Sequence, residues 1–445
     1  MPEITPQQIR NFRLRSHQLD GWSAALAAPS ASPAATSSYA TASPSNAASF
    51  SHRILSAAGI CGLQNSPPGA WETSLFSRVP DCTREDLQRL LTEEKTLLQA
   101  WSFRGVPVIF PTKDAPLFLQ ALAAREGEEW LYTHGIALAL DFLELSFDQL
   151  LDALIQVIPQ LDGQTIVSKS ALDQTLAEWM LPLLPPSRHA RWNSPSMYGD
   201  PERQTVGGAV VSFLLRPCSL LGLVVFGKRQ ETLPTFTSFK RWTGHPFQPM
   251  DPDTAVRLLV KKYLHAYGPS SPEHFALWLG CTKQQARRMW NTLSHELTPV
   301  SVLGKKAFLL SEDLEALLNP APISQPLRLL GPHDPYLDSR DRLILQPDTS
   351  LHRQIWKTVS NPGAILMEGQ VMGIWNCRKK TKGLEIQMKL FDPELFSPDK
   401  EMSAAANPDV PPHALHSALS LQAEQYAAFR GELLLKLDFQ SLGCI

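Results

Sequence analysis

The stretch from Asp253 to Leu310 constrains the fold most, because local start and stop signals divide it into three short helices and a hairpin. Each predicted helix has a capping residue at its start and, for the first two, a glycine after its end. The predicted first and last residues are Thr254 and Gly268, Ser271 and Gly280, and Thr282 and Leu297. Three helices followed by a hairpin are typical of a winged helix.

The hairpin after the third helix consists of two predicted strands, Val300–Leu303 and Lys306–Leu310, with a turn at Gly304 and Lys305. A winged helix usually places its third helix in a DNA groove, and here that helix carries Lys283 and Arg287. The other interpretation is that these charges form a solvated face. The residues alone leave both interpretations open.

The same order of elements is predicted earlier in the chain. The first set comprises helices Thr5–Leu19, Ser51–Gly62, Gly69–Val79 and Thr83–Ala100, followed by a wing at Trp101–Phe110 with Arg104 at its tip. A diverged set comprises helices Ser146–Ile158, Ser168–Leu184 and Gly207–Leu215, and a strand at Leu220–Phe226. No fixed period relates the sets, so only their architecture is repeated.

Two regions differ in composition from these sets. Residues 27–48 are almost entirely Ala, Ser, Pro and Thr, which predicts a mobile insertion because little apolar surface is available to offset the entropy of ordering. After residue 322 the pattern changes to short strands, which predicts a small β-rich domain with a final helix. The predicted elements are strands 327–330, 364–367, 371–377 and 384–390, and helix 413–429.

The predicted fold class is therefore α+β and mostly α, with three tandem winged helices and a C-terminal β-rich domain. The predicted domains are 1–125 with the insertion, 126–248, 249–322 and 323–445. A chain of 445 residues with 43% hydrophobic and 19% charged residues is long enough and apolar enough to form a buried core in each of these four domains.

The cysteines and the chain start narrow the class of protein further. The 6 cysteines are scattered and form no C-x-x-C pair or Cys/His cluster, so neither disulfides nor a zinc site is expected. Residues 1–5 lack the layout of a signal peptide, and no apolar run reaches the length of a membrane span. We therefore expect a cytoplasmic protein without membrane contact.

Charge is distributed unevenly along the chain. The net charge is −2, but residues 228–310 hold 12 Lys/Arg against 5 Asp/Glu, a local balance of +7. A basic binding face would have this pattern, and so would domains that pair with one another. The residues predicted to contact DNA phosphates are Arg104, Lys228, Arg229, Lys240, Arg241, Lys283, Arg287, Lys305, Arg340, Arg342, Arg378, Lys379 and Lys380.

Several short motifs carry a family resemblance. They are Gly62-Leu63-Gln64-Asn65-Ser66-Pro67-Pro68-Gly69-Ala70-Trp71, Phe103-Arg104-Gly105, Phe226-Gly227-Lys228-Arg229, Ala266-Tyr267-Gly268-Pro269, and Asp334-Pro335-Tyr336 with Arg340-Asp341-Arg342. In this order they resemble the winged-helix family that includes the AlkZ and YcaQ type bacterial DNA glycosylases. The resemblance spans nearly the whole chain. It implies that the winged helices form a concave channel.

The resemblance also implies a reaction, the excision of alkylated or cross-linked bases from DNA. Its family motif is Gln-apolar-Gln or Gln-apolar-Asp, which this chain matches at Gln64, whereas Asn65 and Ser66 depart from it. An amide or hydroxyl can orient a water molecule, although serine is shorter and cannot carry the charge of aspartate. Glu72 is a further carboxylate near the motif, and Trp71 is interpreted as a core residue.

Three functional hypotheses follow. The first is a glycosylase that hydrolyses N-glycosidic bonds through Gln64 and Ser66. The second is a non-catalytic winged-helix DNA-binding or regulatory protein, which the serine at the second catalytic position favours. The third is a protein-binding scaffold, which the net charge of −2 favours. The expected partner is double-stranded DNA, bound by a monomer without metal, nucleotide or other cofactor.

Overall fold

The computed structural model describes residues 1–20, 44–199, 201–392 and 412–441. It divides into two compact units. Unit 1 comprises Met1–Leu87, Tyr263–Ser271 and Glu296–Ile445, and unit 2 comprises Gln88–Lys262 and Pro272–His295. The four domain boundaries expected from the sequence remain predictions.

The described chain contains α-helices, β-strands and short 3₁₀ turns. The helices are α1 (Pro6–Ser16), α2 (Pro44–Gly59), α3 (Ala70–Phe76), α4 (Arg84–Thr92), α5 (Ala115–Phe118), α6 (Ala137–Leu143), α7 (Phe147–Val157), α8 (Lys169–Met180), α9 (His189–Trp192), α10 (Val206–Leu220), α11 (Phe239–Thr243), α12 (Pro252–Tyr267), α13 (Pro272–Leu279), α14 (Lys283–Asn291), α15 (Leu314–Leu318), α16 (Arg342–Leu345), α17 (His352–Ile355) and α18 (Pro412–Phe429). The strands are β1 (Glu3–Ile4), β2 (Leu63–Gln64), β3 (Leu97–Trp101), β4 (Pro107–Pro111), β5 (Ile166–Val167), β6 (Val224–Phe226), β7 (Thr235–Ser238), β8 (Leu297–Val302), β9 (Lys305–Leu310), β10 (Leu327–Leu330), β11 (Gly363–Met367), β12 (Gln370–Lys380), β13 (Gly383–Leu390) and β14 (Leu434–Ser441).

The larger sheet of unit 1 has five strands in the order β10-β11-β12-β13-β14. Its neighbours are antiparallel except β13 and β14, which are parallel. The helix α18 covers one face of this sheet through Leu415, Leu419 and Ala423. The four predicted strands and the final helix are confirmed as elements, and β14 is an additional strand that the sequence analysis missed.

The helix α1 joins this sheet domain to a smaller sheet of the same unit. Thr5 and Gln8 form a capping box at its start, which confirms the predicted cap. Ile9 and Phe12 pack against Val300 and Leu309 of the β8–β9 hairpin, while Leu14 packs in the core beneath the larger sheet. The strand β1 adds to the hairpin in parallel with β8.

Unit 2 is built around α7, α8 and the apolar helix α10, which share one core. The strands β5, β7 and β6 form one antiparallel sheet, and β3 pairs with β4 as a hairpin. Trp101, at the end of β3, stacks on Phe236 of β7 at 5.3 Å between ring centroids. Trp101 therefore joins the hairpin to the core of the unit.

The predicted helix Thr83–Ala100 is wrong beyond Thr92. Its capping box is confirmed, since Thr83 and Asp86 exchange hydrogen bonds. The helix α4 nevertheless ends at Thr92, and Lys95 takes a positive φ of 55°. Leu97–Trp101 is then a strand buried at every position. This largely apolar run pairs with β4, because burial in a sheet outweighs the local helical pattern.

The predicted cap of α12 at Thr254 is also wrong. The helix begins at Pro252, and the Asp251 carboxylate accepts a hydrogen bond from the Thr254 amide at 2.8 Å. The predicted ends at Gly268 and Gly280 and the cap at Thr282 are confirmed. The third predicted helix is shorter than expected, since α14 ends at Asn291 and Leu297 already belongs to β8.

Other predicted elements keep their type but change length. The helices predicted at Ser146 and Ser168 are confirmed by α7 and α8. The helix α10 extends to Leu220, so the predicted strand is reduced to β6. Within the predicted mobile insertion, residues 27–43 lie outside the described residues, and the prediction is wrong for residues 44–48 because α2 begins at Pro44.

The described residues also bear on membrane and metal sites. None of their helices is both long enough and apolar enough to cross a membrane. Across the same residues, no group of three or more His, Cys, Asp or Glu side chains is arranged to hold a metal ion.

Candidate functional site

The motif residues Gln64, Asn65 and Ser66 lie where β2 turns into α3 in unit 1. The Asn65 side-chain oxygen accepts a hydrogen bond from the Gly69 amide at 2.7 Å, and Asn65 is buried. Gly69 is the N-cap of α3 and has a φ of 90°, a conformation that favours glycine. The polar residue at the middle motif position therefore closes the turn, which an apolar side chain could not do.

Ser66 and His333 both contact the Gln64 amide nitrogen. This nitrogen, Nε2, donates to the Ser66 carbonyl oxygen at 2.9 Å and lies 3.4 Å from Nδ1 of His333. An amide carries its two N–H donors on the nitrogen and its acceptor on the oxygen. The Ser66 carbonyl oxygen needs a donor, so the nitrogen of the Gln64 amide is the atom that faces the turn. The Ser66 side chain is exposed beside it. The structure thus brings Gln64, Ser66 and His333 together.

His333 was missed by the sequence analysis. It has a positive φ of 60° and directly precedes Asp334, whose carboxylate accepts hydrogen bonds from both terminal nitrogens of Arg78 at 2.7 Å and 2.9 Å. The same carboxylate accepts from the Tyr336 amide at 3.0 Å. The one sequence signal for His333 as a site residue is its position next to the Asp334-Pro335-Tyr336 motif. Local sequence does not show that this motif lies beside Gln64 in the fold.

The Arg78–Asp334 pair is fully enclosed, with side-chain exposures of 1% and 0%. Burial lowers the pKa of the Arg78 guanidinium, but the charge and hydrogen bonds of Asp334 outweigh burial and leave that pKa raised. The pair holds the loop that carries His333 against α3. Gly331 contributes to this fit, since a Cβ there would lie 2.6 Å from Cγ2 of Thr73.

Glu72 and Trp71, also near the motif, are part of the surrounding structure. The Glu72 carboxylate is buried and accepts from Nε of Arg84 at 3.0 Å, with Nη1 of Arg430 at 3.4 Å. Trp71 is buried, which confirms its interpretation as a core residue. A cavity of about 970 Å³ adjoins Arg84 and Arg430. Glu72 thus holds two cations beside the turn.

The predicted phosphate contacts of unit 2 differ in their surroundings. Arg104 donates to the Trp278 carbonyl oxygen at 2.7 Å, and its positive φ of 55° places it at the tip of the β3–β4 hairpin. Lys240 and Arg241 contact Asp162. Lys228 and Arg229 are exposed in one turn, and Lys283 and Arg287 are exposed on α14. Their role in DNA binding remains a prediction.

The predicted phosphate contacts of unit 1 lie on the hairpins and in the loop after Asp334. Lys305 is exposed beside the β8–β9 turn, and Arg378 is exposed on β12. The others have neighbours: Arg340 with Asp338 at 3.5 Å, Arg342 over the Trp356 ring at 4.8 Å, Lys379 with Glu432 at 2.5 Å and Lys380 with Glu385 at 3.4 Å. Partly exposed pairs of this kind are weak, so the cations can exchange partners.

Comparisons with known proteins converge on one family. A family model described as DNA glycosylase AlkZ-like matches residues 57–429. An interstrand DNA cross-link repair glycosylase from Streptomyces sahachiroi is 26% identical over 329 residues, which cover 71% of this chain and 80% of that protein. The solved structure of Streptomyces sahachiroi DNA glycosylase AlkZ superimposes with a TM-score of 0.69 and 21% identity, covering 99% of this chain and all of that one.

Proposed function

Because this chain belongs to the AlkZ-like DNA glycosylase family, we propose that it is a DNA glycosylase that hydrolyses the N-glycosidic bond of alkylated bases, including bases in cross-links. The observation that carries the proposal is the oriented Gln64 amide beside Ser66 and His333, inside the segment that the family model matches. The similarity to the Streptomyces interstrand DNA cross-link repair glycosylase supports the choice of substrate.

The reaction does not need a strong general acid from the protein. An alkylated purine carries a positive charge and is already a good leaving group, so departure leaves an oxocarbenium-like sugar that water must attack. The Gln64 amide nitrogen donates to the Ser66 carbonyl oxygen, and an amide oxygen is an acceptor that can orient the attacking water. The Ser66 hydroxyl supplies a second contact to this water.

His333 is a positioning residue in this proposal. Its Nδ1 accepts from the Gln64 amide nitrogen, and a neutral imidazole with the proton on Nε2 fits this contact. The loop that carries His333 is fixed by the buried Arg78–Asp334 pair. An ordered amide reduces the reorganisation needed when charge develops on the sugar.

The finer architecture also belongs to the proposal. We propose three tandem winged helices lining a DNA channel, with the basic residues predicted from the sequence contacting phosphates. The protein would act on double-stranded DNA as a cytoplasmic monomer. Exposed Lys283 and Arg287 on α14 support the third winged helix as a DNA-contacting element.

A non-catalytic DNA-binding protein is the second candidate, and Ser66 is the observation that favours it. Serine cannot supply the carboxamide or carboxylate of the family motif at this position. Binding to DNA would then persist without release of a base.

Base release from duplex DNA containing 7-methylguanine tests the first candidate. We expect the parent protein to generate abasic sites, and Gln64→Ala to slow release by about 100-fold or more, since a positioned group of this kind contributes about that much. His333→Ala and Ser66→Ala are expected to cause smaller losses. The matched control Gln160→Ala changes an exposed glutamine of unit 2 and should leave release unchanged.

The same assay separates the two candidates. DNA affinity of Gln64→Ala should stay within about twofold of the parent, because the amide acts on the reaction rather than on the phosphates. A parent protein that binds DNA with a steep salt dependence yet releases no base would support the non-catalytic candidate. Absence of salt-dependent binding would contradict both.

A further inference from the structure

A second group of charged side chains lies in unit 2 around Trp101. Lys169 begins α8 and Arg216 lies near the end of α10. The Nζ of Lys169 is 5.9 Å and the Cζ of Arg216 is 5.3 Å from the centroid of the Trp101 ring. Arg216 is also 5.0 Å from the ring centroid of Tyr132. We call these residues, with Asp173 and Ser212, the Trp101 cluster.

The hydrogen bonds of the Trp101 cluster leave part of it unsatisfied. Lys169 Nζ contacts the Asp173 carboxylate and donates to the Ser212 hydroxyl at 2.8 Å. Arg216 Nη1 donates to the Ser212 carbonyl oxygen. The Nε of Arg216 is buried, and no acceptor for it lies among the described residues. Buried N–H groups normally have a partner, so this donor calls for one.

The charges of the Trp101 cluster are also unbalanced, since two cations share the carboxylate of Asp173. Burial lowers the pKa of Lys169 to about 8, although Asp173 acts in the opposite direction, and Arg216 lowers it further. Burial likewise lowers the pKa of Arg216. Desolvated cations without a matching anion are costly, so the cluster would gain from one more negative charge.

The cluster is open to a ligand on the side of Tyr132. Tyr132 as a whole residue is 54% exposed, and 29% of the Lys169 side chain is exposed. Tyr132 has a φ of 61°, which is strained for an aromatic residue. Gly105 allows this placement, because a Cβ there would lie 2.6 Å from Cβ of Tyr132. A strained, exposed aromatic ring beside buried cations is a feature of binding sites.

We propose that the Trp101 cluster binds one phosphate of the DNA backbone through Lys169 and Arg216, with the Tyr132 ring against the adjoining sugar or base. This proposal rests on the proposed function and adds a binding site to it. A phosphodiester carries one negative charge, which matches the excess cation, and its oxygens accept from guanidinium and ammonium donors. Tyrosine can stack on any base, which suits a contact that does not read sequence.

Binding of a phosphate at this site is coupled to a proton. The groups that face Lys169 are Asp173 on its own helix, Arg216 and Ser212 on α10, and the Trp101 ring. In free protein Lys169 loses its proton near pH 8. A bound phosphate stabilises the ammonium and raises this pKa, so DNA binding takes up a proton above pH 8. Affinity therefore falls as pH rises through 8.

The test is DNA affinity at pH 7, 8 and 9 and constant ionic strength, measured with the full chain and a fluorescently labelled duplex. For the parent we expect affinity to fall about tenfold from pH 7 to pH 9. The protonated fraction of a group with a pKa of about 8 falls by the same factor over this range. Lys169→Arg, which keeps its charge at every pH used, should vary less than about twofold. Lys169→Met should bind weakly and without this pH dependence.

Two further variants complete the test. Lys113→Gln removes an exposed charge of the same unit and should retain the tenfold pH response of the parent. This control shows that removing a lysine elsewhere in the unit does not abolish the pH response. Tyr132→Ala changes an exposed side chain, so it leaves the core intact, and should weaken binding about fivefold or more through lost stacking.

The outcomes separate this proposal from the proposed function. A parent protein that binds DNA with the same affinity from pH 7 to pH 9 overturns the phosphate site while leaving the glycosylase proposal intact. Unchanged binding by Tyr132→Ala and Lys169→Met has the same meaning. If the parent fails to bind DNA at low salt, the proposed function fails and the phosphate site fails with it.

Discussion

Two buried ionic groups of this protein differ in their charge balance. In unit 1, Arg78 and Asp334 form a one-to-one pair with both terminal guanidinium nitrogens bonded to the carboxylate. In unit 2, Lys169 and Arg216 share Asp173, and burial lowers the pKa of Lys169 to about 8. The pKa of Arg78 is instead raised because its partner outweighs burial.

This difference in charge balance matches a structural role for the Arg78–Asp334 pair and the binding role proposed for the Trp101 cluster. A balanced, fully bonded pair fixes the loop beside Gln64 and gains nothing from an added ligand. A cluster with an excess cation remains incomplete until an anion arrives. Charge balance within a buried cluster is therefore a guide to function that residue type alone does not give.

The largest predicted effect is on stability in unit 1. Arg78→Met leaves the Asp334 carboxylate buried without its cation, so we expect the free energy of unfolding to fall by about 3–5 kcal/mol in urea denaturation. The double variant Arg78→Met with Asp334→Leu removes both charges and should recover most of this loss. A double variant as unstable as the single one would contradict the role assigned to charge balance.

A smaller effect is predicted for the unbalanced cluster of unit 2. Between pH 8 and about 10 the unfolded chain keeps the Lys169 proton while the folded protein has lost it, so stability rises with pH in this window. Relative to Lys169→Met, the parent should gain about 1–2 kcal/mol of unfolding free energy from pH 7 to pH 9.5. An equal pH response in both proteins would remove the distinction between the two clusters.

The smallest effect concerns a neutral contact of the candidate site. Asn65→Ala removes the acceptor for the Gly69 amide and should lower the free energy of unfolding by about 1 kcal/mol. Asn65→Asp keeps an acceptor oxygen and serves as the control. A loss as large as that of Arg78→Met would mean that the turn, rather than the ion pair, is the main support of the site.

Helices with local caps were predicted well from the sequence. Thr5, Ser146 and Thr282 each form a capping box with a residue three positions later, so the signal and its structural cause lie together in the chain. Strands were harder to predict. Leu97–Trp101 has a helical pattern but is held by β4, and β14 depends on β13.

The candidate site was predicted only in part, for the same reason. Gln64 and Ser66 are named by a local motif, and their proximity in the turn follows from sequence. His333 lies 269 positions from Gln64, and no local pattern indicates that they meet. The Trp101 cluster likewise combines Lys169 of α8 with Arg216 of α10, which only the fold brings together.

The strand β1 has a consequence for how the chain folds. Glu3 and Ile4 pair with Ser301 and Val302, so this sheet cannot form until some three hundred residues have been synthesised. The core that α7, α8 and α10 share is formed by one continuous stretch of the sequence. It can form while the ribosome is still translating the rest of the chain. Closure of the long loop that precedes β8 carries an entropic cost, which makes the β1–β8 pairing a late event.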